Sequence, residues 1–292
     1  RKSIMVKKIV LLCLVGTLLI TTIACSSAGS TSNTVIKIGI AQISEHPAMD
    51  ASRKGFIDAL KENGYEEGKN VKFDIQNAQG EMANVNAIAK QFASKKLDMI
   101  FAIATPTAQA MANSIKDTPI VITAVTDPVA AKLVKSMEKP DTNVTGTTDI
   151  TPVEEQIQII HRAFPKAKKI GILYNSGEAN SIVQVELARK AVQKLNLELI
   201  EATVTNSGEV NQAAQSLVGR ADVFYVPTDN TVASAISAVA KVAISNKIPL
   251  IGAEKAHVEG GALFTKGIDY YELGKLTGKM AVEILNGNKK AN

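Results

Sequence analysis

The sequence has no tryptophan, only two cysteines and three histidines, and an aromatic content of 4%. Two cysteines cannot build a disulfide framework. His46, His161 and His257 are scattered, with no metal-ligand spacing among them, so neither a metal nor a cofactor is expected. His161 lies among apolar residues of a helical stretch and reads as structural. The nucleophile elbow Gly-x-Ser-x-Gly, the phosphate loop Gly-x-x-x-x-Gly-Lys-Ser/Thr and the dinucleotide fingerprint Gly-x-Gly-x-x-Gly are absent, and the chain is not read as an enzyme. What is present is hydrophobic residue, 46% of 292 positions, enough for a substantial core in two domains.

The net charge of +5 is unevenly spread. Residues 1–24 carry Arg1, Lys2, Lys7 and Lys8 and no acid; without them 29 basic groups face 28 acidic ones. A near-neutral body with few aromatics argues against nucleic acid as a partner. Behind the basic stub, Ile9 to Ala24 form a run of 16 mostly apolar residues. A transmembrane helix needs about 20, so the segment reads as an export signal starting at Met5. It ends in Thr22-Ile23-Ala24-Cys25-Ser26, which resembles the bacterial lipoprotein box, with Thr22 where leucine is usual. The resemblance implies lipidation of Cys25 and a membrane anchor through its acyl chains; the alternative is an ordinary signal with an incidental cysteine. Residues 25–34 would then be the lipidated cysteine and a flexible tether.

From Val35 onward, short apolar runs alternate with amphipathic stretches. Residues 35–43, 71–77, 98–104 and 119–125 read as strands, and 47–63, 81–95 and 105–116 as helices, with Gly64 a helix C-cap. Residues 127–149 break the rhythm with Pro128, Pro140, Asp141 and Gly146. It resumes with helices over 151–164, 179–196, 210–218, 231–246 and 270–285, and strands over 169–174, 197–204, 221–226, 249–252 and 262–265. This is an α/β pattern of two doubly wound parallel-sheet lobes joined by a hinge. The first lobe is placed at 35–127 plus 254–292, and the second, with the hinge segment, at 128–253. Ile36-Lys37-Ile38-Gly39-Ile40 and Lys168-Lys169-Ile170-Gly171-Ile172 are alike, a weak sign of duplication.

Ligands of open α/β sheets lie beyond the carboxyl ends of the strands, so the loops there hold the candidate residues. Gln42, Ser44 and His46 follow the first strand; Ser44 also suits an N-cap before Pro47. Thr105-Pro106-Thr107 opens a helix, with Thr105 as N-cap, and a helix N-terminus attracts a carboxylate or phosphate. Thr126 precedes Asp127-Pro128, a turn. Asn175, Glu178 and Asn180 occupy one polar loop, and Asp229 ends another, as an ammonium partner or a plain helix cap. Gly252-Ala253-Glu254-Lys255 follows the strand at 249–252 with no role assigned. Together these groups suit a small zwitterion.

Ile38-Gly39-Ile40-Ala41-Gln42-Ile43, His46-Pro47-Ala48-Met49-Asp50, Gly55-Phe56, and Leu60 through Gly64-Tyr65-Glu66-Glu67-Gly68-Lys69-Asn70 resemble the start of the substrate-binding lipoproteins of ABC importers of the tryptophan or aromatic amino acid type. Ala104 to Ala110, Val125-Thr126-Asp127-Pro128, Asn175 with Glu178-Ala179-Asn180-Ser181, and Pro227-Thr228-Asp229-Asn230 are similar to the later motifs of that family, and the likeness spans Val35 to Gly287. The resemblance implies a type I periplasmic-binding fold, and an aromatic L-amino acid, tryptophan or phenylalanine, delivered to ABC permease subunits. It implies that Thr105 and Thr107 hold the carboxylate, that Asp229 holds the ammonium, and that Gln42, Asn175, Glu178 and Asn180 line the cleft. In the family another strand follows the last helix, which would leave the second lobe one edge strand short. A monomer on the extracytoplasmic face of the cell membrane is expected. The alternative function is a ligand-sensing lipoprotein that presents its bound state to a signalling partner.

Overall fold

A computed structural model describes residues 35–291. The export signal, Cys25 and the tether lie outside the described residues. Among the described residues, nine strands fall into two all-parallel sheets. The first contains β1 (Ile36–Gln42), β2 (Val71–Asn77), β3 (Met99–Ile103), β4 (Ile120–Val125) and β5 (Val144–Thr148), in the order β2-β1-β3-β4-β5. The second contains β6 (Lys169–Asn175), β7 (Glu198–Val204), β8 (Val223–Val226) and β9 (Leu250–Gly252), in the order β7-β6-β8-β9. Every residue of β3 and β4 is buried, which is why both read as unbroken apolar runs.

The two sheets share one winding: the opening strand sits inside, its successor on one side and the third strand on the other. Gly39 of β1 and Gly171 of β6 occupy matching places. A Cβ on Gly39 would come within 2.8 Å of Leu97 Cδ1, and one on Gly171 within 2.9 Å of Leu217 Cδ1. The likeness of the opening strands therefore reflects the same close approach of covering residues in both halves.

The helices linking the strands are α1 (Pro47–Glu62), α2 (Met82–Ala93), α3 (Thr105–Ser114), α4 (Val153–Ala163), α5 (Ala179–Lys194), α6 (Val210–Leu217), α7 (Asn230–Ser234), α8 (Ile236–Ser245), α9 (Lys255–Glu259) and α10 (Tyr270–Leu285). The stretch 231–246, expected as one helix, breaks at Ala235 into α7 and α8. Residues 262–265 form no strand, although Leu263 N–H bonds Leu250 O at 2.8 Å and Gly252 N–H bonds Phe264 O at 3.3 Å. β5 was not foreseen: its sequence VTGTT is polar and follows Pro140 and Asp141, which signal a turn. It pairs with β4, so the first sheet runs past Asp127, where sequence alone puts the edge of the first lobe. Among the described residues, no helix is long and apolar enough to cross a membrane.

α10 returns to the first sheet and packs against α1, β4 and β5. Glycines let the two helices touch backbone to backbone. A Cβ on Gly55 would lie 2.1 Å from Tyr271 O, and one on Gly274 would lie 2.1 Å from Ser52 O. Below the contact, Phe56 stacks on Phe101 with ring centroids 3.8 Å apart. Gly274→Ala should therefore force the helices apart and cost about 2 kcal/mol, read as a lowered urea midpoint; an unchanged midpoint would contradict this packing.

Candidate ligand-binding cleft

The carboxyl ends of the two sheets supply loops that meet around a common chamber. His46 and Met49 come from the end of β1 and the start of α1, Thr126 from β4 and Asp149 from β5. Opposite them stand Asn180 after β6, Thr228, Asp229 and Asn230 after β8, Glu254 after β9, and Tyr270 at the start of α10. The chamber is tight, about 10 Å³, room for a single water molecule at most. It adjoins a wider mouth of about 390 Å³ between Ser44, Asn77 and Gly80 on one side and Asn206, Asn230 and Thr231 on the other. The two sides are thus closed on each other, and a solute as large as an amino acid enters only when they part.

On the first-sheet side, Gln42 is buried and its amide is already engaged. Its Nε2 donates to Ser44 O at 2.6 Å and to Asp50 Oδ1 at 3.0 Å, and its Oε1 accepts from Arg53 at 2.5 Å. Gln42 therefore braces the loop and lies outside the chamber wall. Ser44 is not the N-cap of α1; His46 holds that position without a side-chain bond. Ser44 Oγ and both ring nitrogens of His46 are buried without partners. Asn230 approaches the ring from across the chamber, short of hydrogen-bond geometry, and burial pushes the imidazole down to about 4, leaving it neutral. Thr105 is not the cap of α3 either. Ala104 takes that position at φ 78°, which moves Thr105 and Pro106 into the first turn. The hydroxyls of Thr105 and Thr107 are buried and unpartnered at that helix N-terminus. Thr126 donates to Asp149 Oδ1 at 3.2 Å.

On the second-sheet side the polar loop is knotted together. Glu178 stands at the N-cap position of α5 without a capping bond there, and its carboxylate instead takes the first N–H groups of α7. It accepts bonds from Asn180 Nδ2, from the backbone and side chain of Asn230, and from those of Thr231, at 2.6–3.2 Å. Asn175 bonds Thr231 Oγ1 at 2.8 Å and accepts from Gly177 N–H, so its amide is also engaged. Asn180 Oδ1 and Thr228 Oγ1 remain buried and free. Asp229 is the N-cap of α7, accepting from Val232 N–H at 2.8 Å; its other oxygen accepts from Asn175 N–H and Ser181 Oγ, both at 2.6 Å.

Sequence reasoning missed Asp149, Glu254 and Tyr270. Glu254 obeys the strand-end rule that found the others; Asp149 does too, but only once β5 is recognised. Tyr270 donates to Asp149 Oδ2 at 2.7 Å, across 121 residues of sequence. Burial raises the carboxyls of Asp149, Asp229 and Glu254, that of Glu254 to about 8, with the charges of neighbouring acids adding to the last two. Among the described residues, no lysine or arginine lines the chamber, and no cluster of His, Cys, Asp and Glu could hold a metal ion.

A chamber of this kind, formed where two parallel-sheet lobes meet, belongs to solute receptors of the type I periplasmic-binding fold. The model of the ABC transporter substrate binding protein family matches residues 37–292, and the chain belongs to that family. Its members bind small molecules outside the cytoplasm and work with ABC permeases. The chain is 50% identical over 250 residues to the tyrosine-binding protein of Clostridioides difficile (strain R20291), covering 86% of this chain and 72% of that one. It resembles the ABC domain in complex with L-Trp from Streptococcus pneumonia, with a TM-score of 0.85, 38% identity, and 88% and 87% of the two chains covered. A ligand-free, open substrate binding protein with adhesive properties from Clostridium difficile is 53% identical over 88% and 87% of the chains, yet its TM-score is 0.65. In shape the protein is thus nearer to the complex than to the open form, although in sequence the order is reversed.

The buried groups fix a pH response. Raised carboxyls keep protons in the folded chain that the unfolded chain has shed above about pH 4, so their contribution is lost as pH rises through about 8. His46 and His257, pushed down to about 4 and about 3, act in the opposite sense, and only below about pH 6.5. The thermal midpoint of the ligand-free protein should therefore fall between about pH 6.5 and about pH 8.5; a flat or rising midpoint would contradict the burial of these acids.

Proposed function

We propose that this chain is the receptor of an ABC importer for an aromatic L-amino acid, tyrosine or tryptophan, anchored to the outer face of the cell membrane through lipid on Cys25. The observation that carries the ligand class is the chamber itself. It has buried acidic side chains and, among the described residues, no lysine or arginine in its lining, a wall that suits an ammonium. At the carboxyl end of the same first sheet, the N-terminus of α3 with the unpartnered hydroxyls of Thr105 and Thr107 suits a carboxylate. Met49, Ala124 and Ala233 give the chamber its apolar wall. Tyrosine joins tryptophan because relatives carry those two ligands in their descriptions; phenylalanine rests on the sequence resemblance alone.

The mechanism needs no covalent step. A ligand touching both lobes binds the closed form better than the open one and shifts the population toward closure. The receptor then presents the closed form to the permease, acting as a monomer.

The absent tryptophan makes the test clean, since the protein has no indole emission of its own. Titrating the protein into L-tryptophan should change the ligand's fluorescence, and calorimetry should show micromolar or tighter binding of L-tyrosine. No spectral change with L-tryptophan, together with no heat from L-tyrosine or L-phenylalanine at micromolar protein, would defeat the aromatic reading.

A further inference from the structure

Four carboxylates are buried around the chamber, and they are not equally occupied. Glu178 accepts five hydrogen bonds. Asp229 accepts three, from Asn175 N–H, Ser181 Oγ and Val232 N–H, and is committed to capping α7. Asp149 accepts from Tyr270 and Thr126. Glu254 is different. It stands at the N-cap position of α9, as Glu178 stands at that of α5, and makes no capping bond, but unlike Glu178 it finds no donors elsewhere for its buried oxygen. Its Oε1 is buried with no partner. Nearby Tyr270 has one hydroxyl proton, and that goes to Asp149.

The neighbouring imidazole does not fill the gap. His257 Nδ1 lies 3.3 Å from Ala253 N, whose nearer acceptor is Val226 O at 2.9 Å, and Nε2 is the ring nitrogen on the Glu254 side. That nitrogen faces Glu254 Oε1 at 3.3 Å, outside hydrogen-bond geometry. The ring is fully buried and neutral, so it offers Glu254 no positive charge. Glu254 lines the chamber directly. Without donors the buried carboxyl of Glu254 is costly as an anion and holds a proton in the ligand-free chamber, and an ammonium with its N–H groups can take the place of that proton.

We propose that Glu254, and not Asp229, is the seat of the ligand's ammonium group, with Asp229 holding the β8–α7 loop in shape. This rests on the amino-acid reading above and corrects the role that the family resemblance implies for Asp229. Asp149 and Tyr270 flank the seat and position it.

The test compares L-tyrosine with 3-(4-hydroxyphenyl)propanoate, the same molecule without its amine, on the wild-type protein, Glu254→Gln and Asp229→Asn. Glutamine keeps the size of the side chain and removes the charge. The wild type should prefer L-tyrosine, and Glu254→Gln should lose about 30-fold or more of that preference, chiefly through weaker binding of L-tyrosine. Asp229→Asn should lower the thermal midpoint and weaken both ligands alike, leaving the preference intact. Because the ratio of two affinities is read, partial loss of folded protein cancels. A wild-type preference retained in Glu254→Gln overturns the proposal, and its collapse in Asp229→Asn alone returns the seat to Asp229. If the wild type binds neither molecule nor any aromatic amino acid, the receptor reading falls and the seat falls with it.

Discussion

Asp149, Glu178, Asp229 and Glu254 are buried where the carboxyl ends of two parallel sheets face each other, and among the described residues no lysine or arginine lines the chamber between them. Burial of a carboxylate is tolerated only when its oxygens are satisfied or when it takes up a proton. The surrounding structure is largely an arrangement for meeting that demand. Glu178 organises the N-terminus of α7 by gathering Asn180, Asn230 and Thr231. Asp229 caps the same helix and ties it back to β6 through Asn175. Asp149 is held by Tyr270, so the return of α10 to the first sheet is fastened at the chamber. Among the buried polar atoms left unsatisfied, those of His46, Asn180, Thr228 and Glu254 belong to residues that line the chamber.

The rest of the fold serves this meeting point. Two sheets of the same winding present equivalent loop sets, and the close α1–α10 contact secures one of them as a rigid wall. The closed arrangement, nearer to the L-Trp complex than to the open relative, leaves hydroxyls, the amide oxygen of Asn180 and a carboxyl oxygen of Glu254 without partners near the meeting of the two sheets. Each such group costs about 1–3 kcal/mol when left unbonded in the protein interior. Closure is therefore favoured by a ligand that supplies the missing donors and acceptors, and the same demand makes the receptor selective for solutes carrying both charges.

Most of the architecture was legible because buried parallel strands and amphipathic helices write clear periodicities. The bounds of β2 and α10 follow from sequence alone, and those of β1, β3 and α1 within a residue or two. β5 was hidden because a threonine-rich strand behind Pro140 looks like a loop until β4 pairs with it. The loops of the site were found by the rule that ligands sit beyond strand ends, but the roles within them were not. Gln42 and Asn175 have the chemistry of ligand contacts, yet their amides are taken up by neighbours that only the folded chain supplies. Tyr270 reaches the chamber through a contact between residues 121 positions apart, which no local pattern encodes. Thr105 lost its cap position to Ala104, whose left-handed backbone is a property of the tight β3–α3 junction rather than of its side chain.

The central claim is that a ligand closes the two lobes by completing the polar shell between them. Small-angle X-ray scattering of the protein alone and with saturating L-tyrosine tests it most directly. The account predicts a smaller radius of gyration with ligand than without. An unchanged scattering profile, in a sample where calorimetry shows the ligand bound, would contradict it.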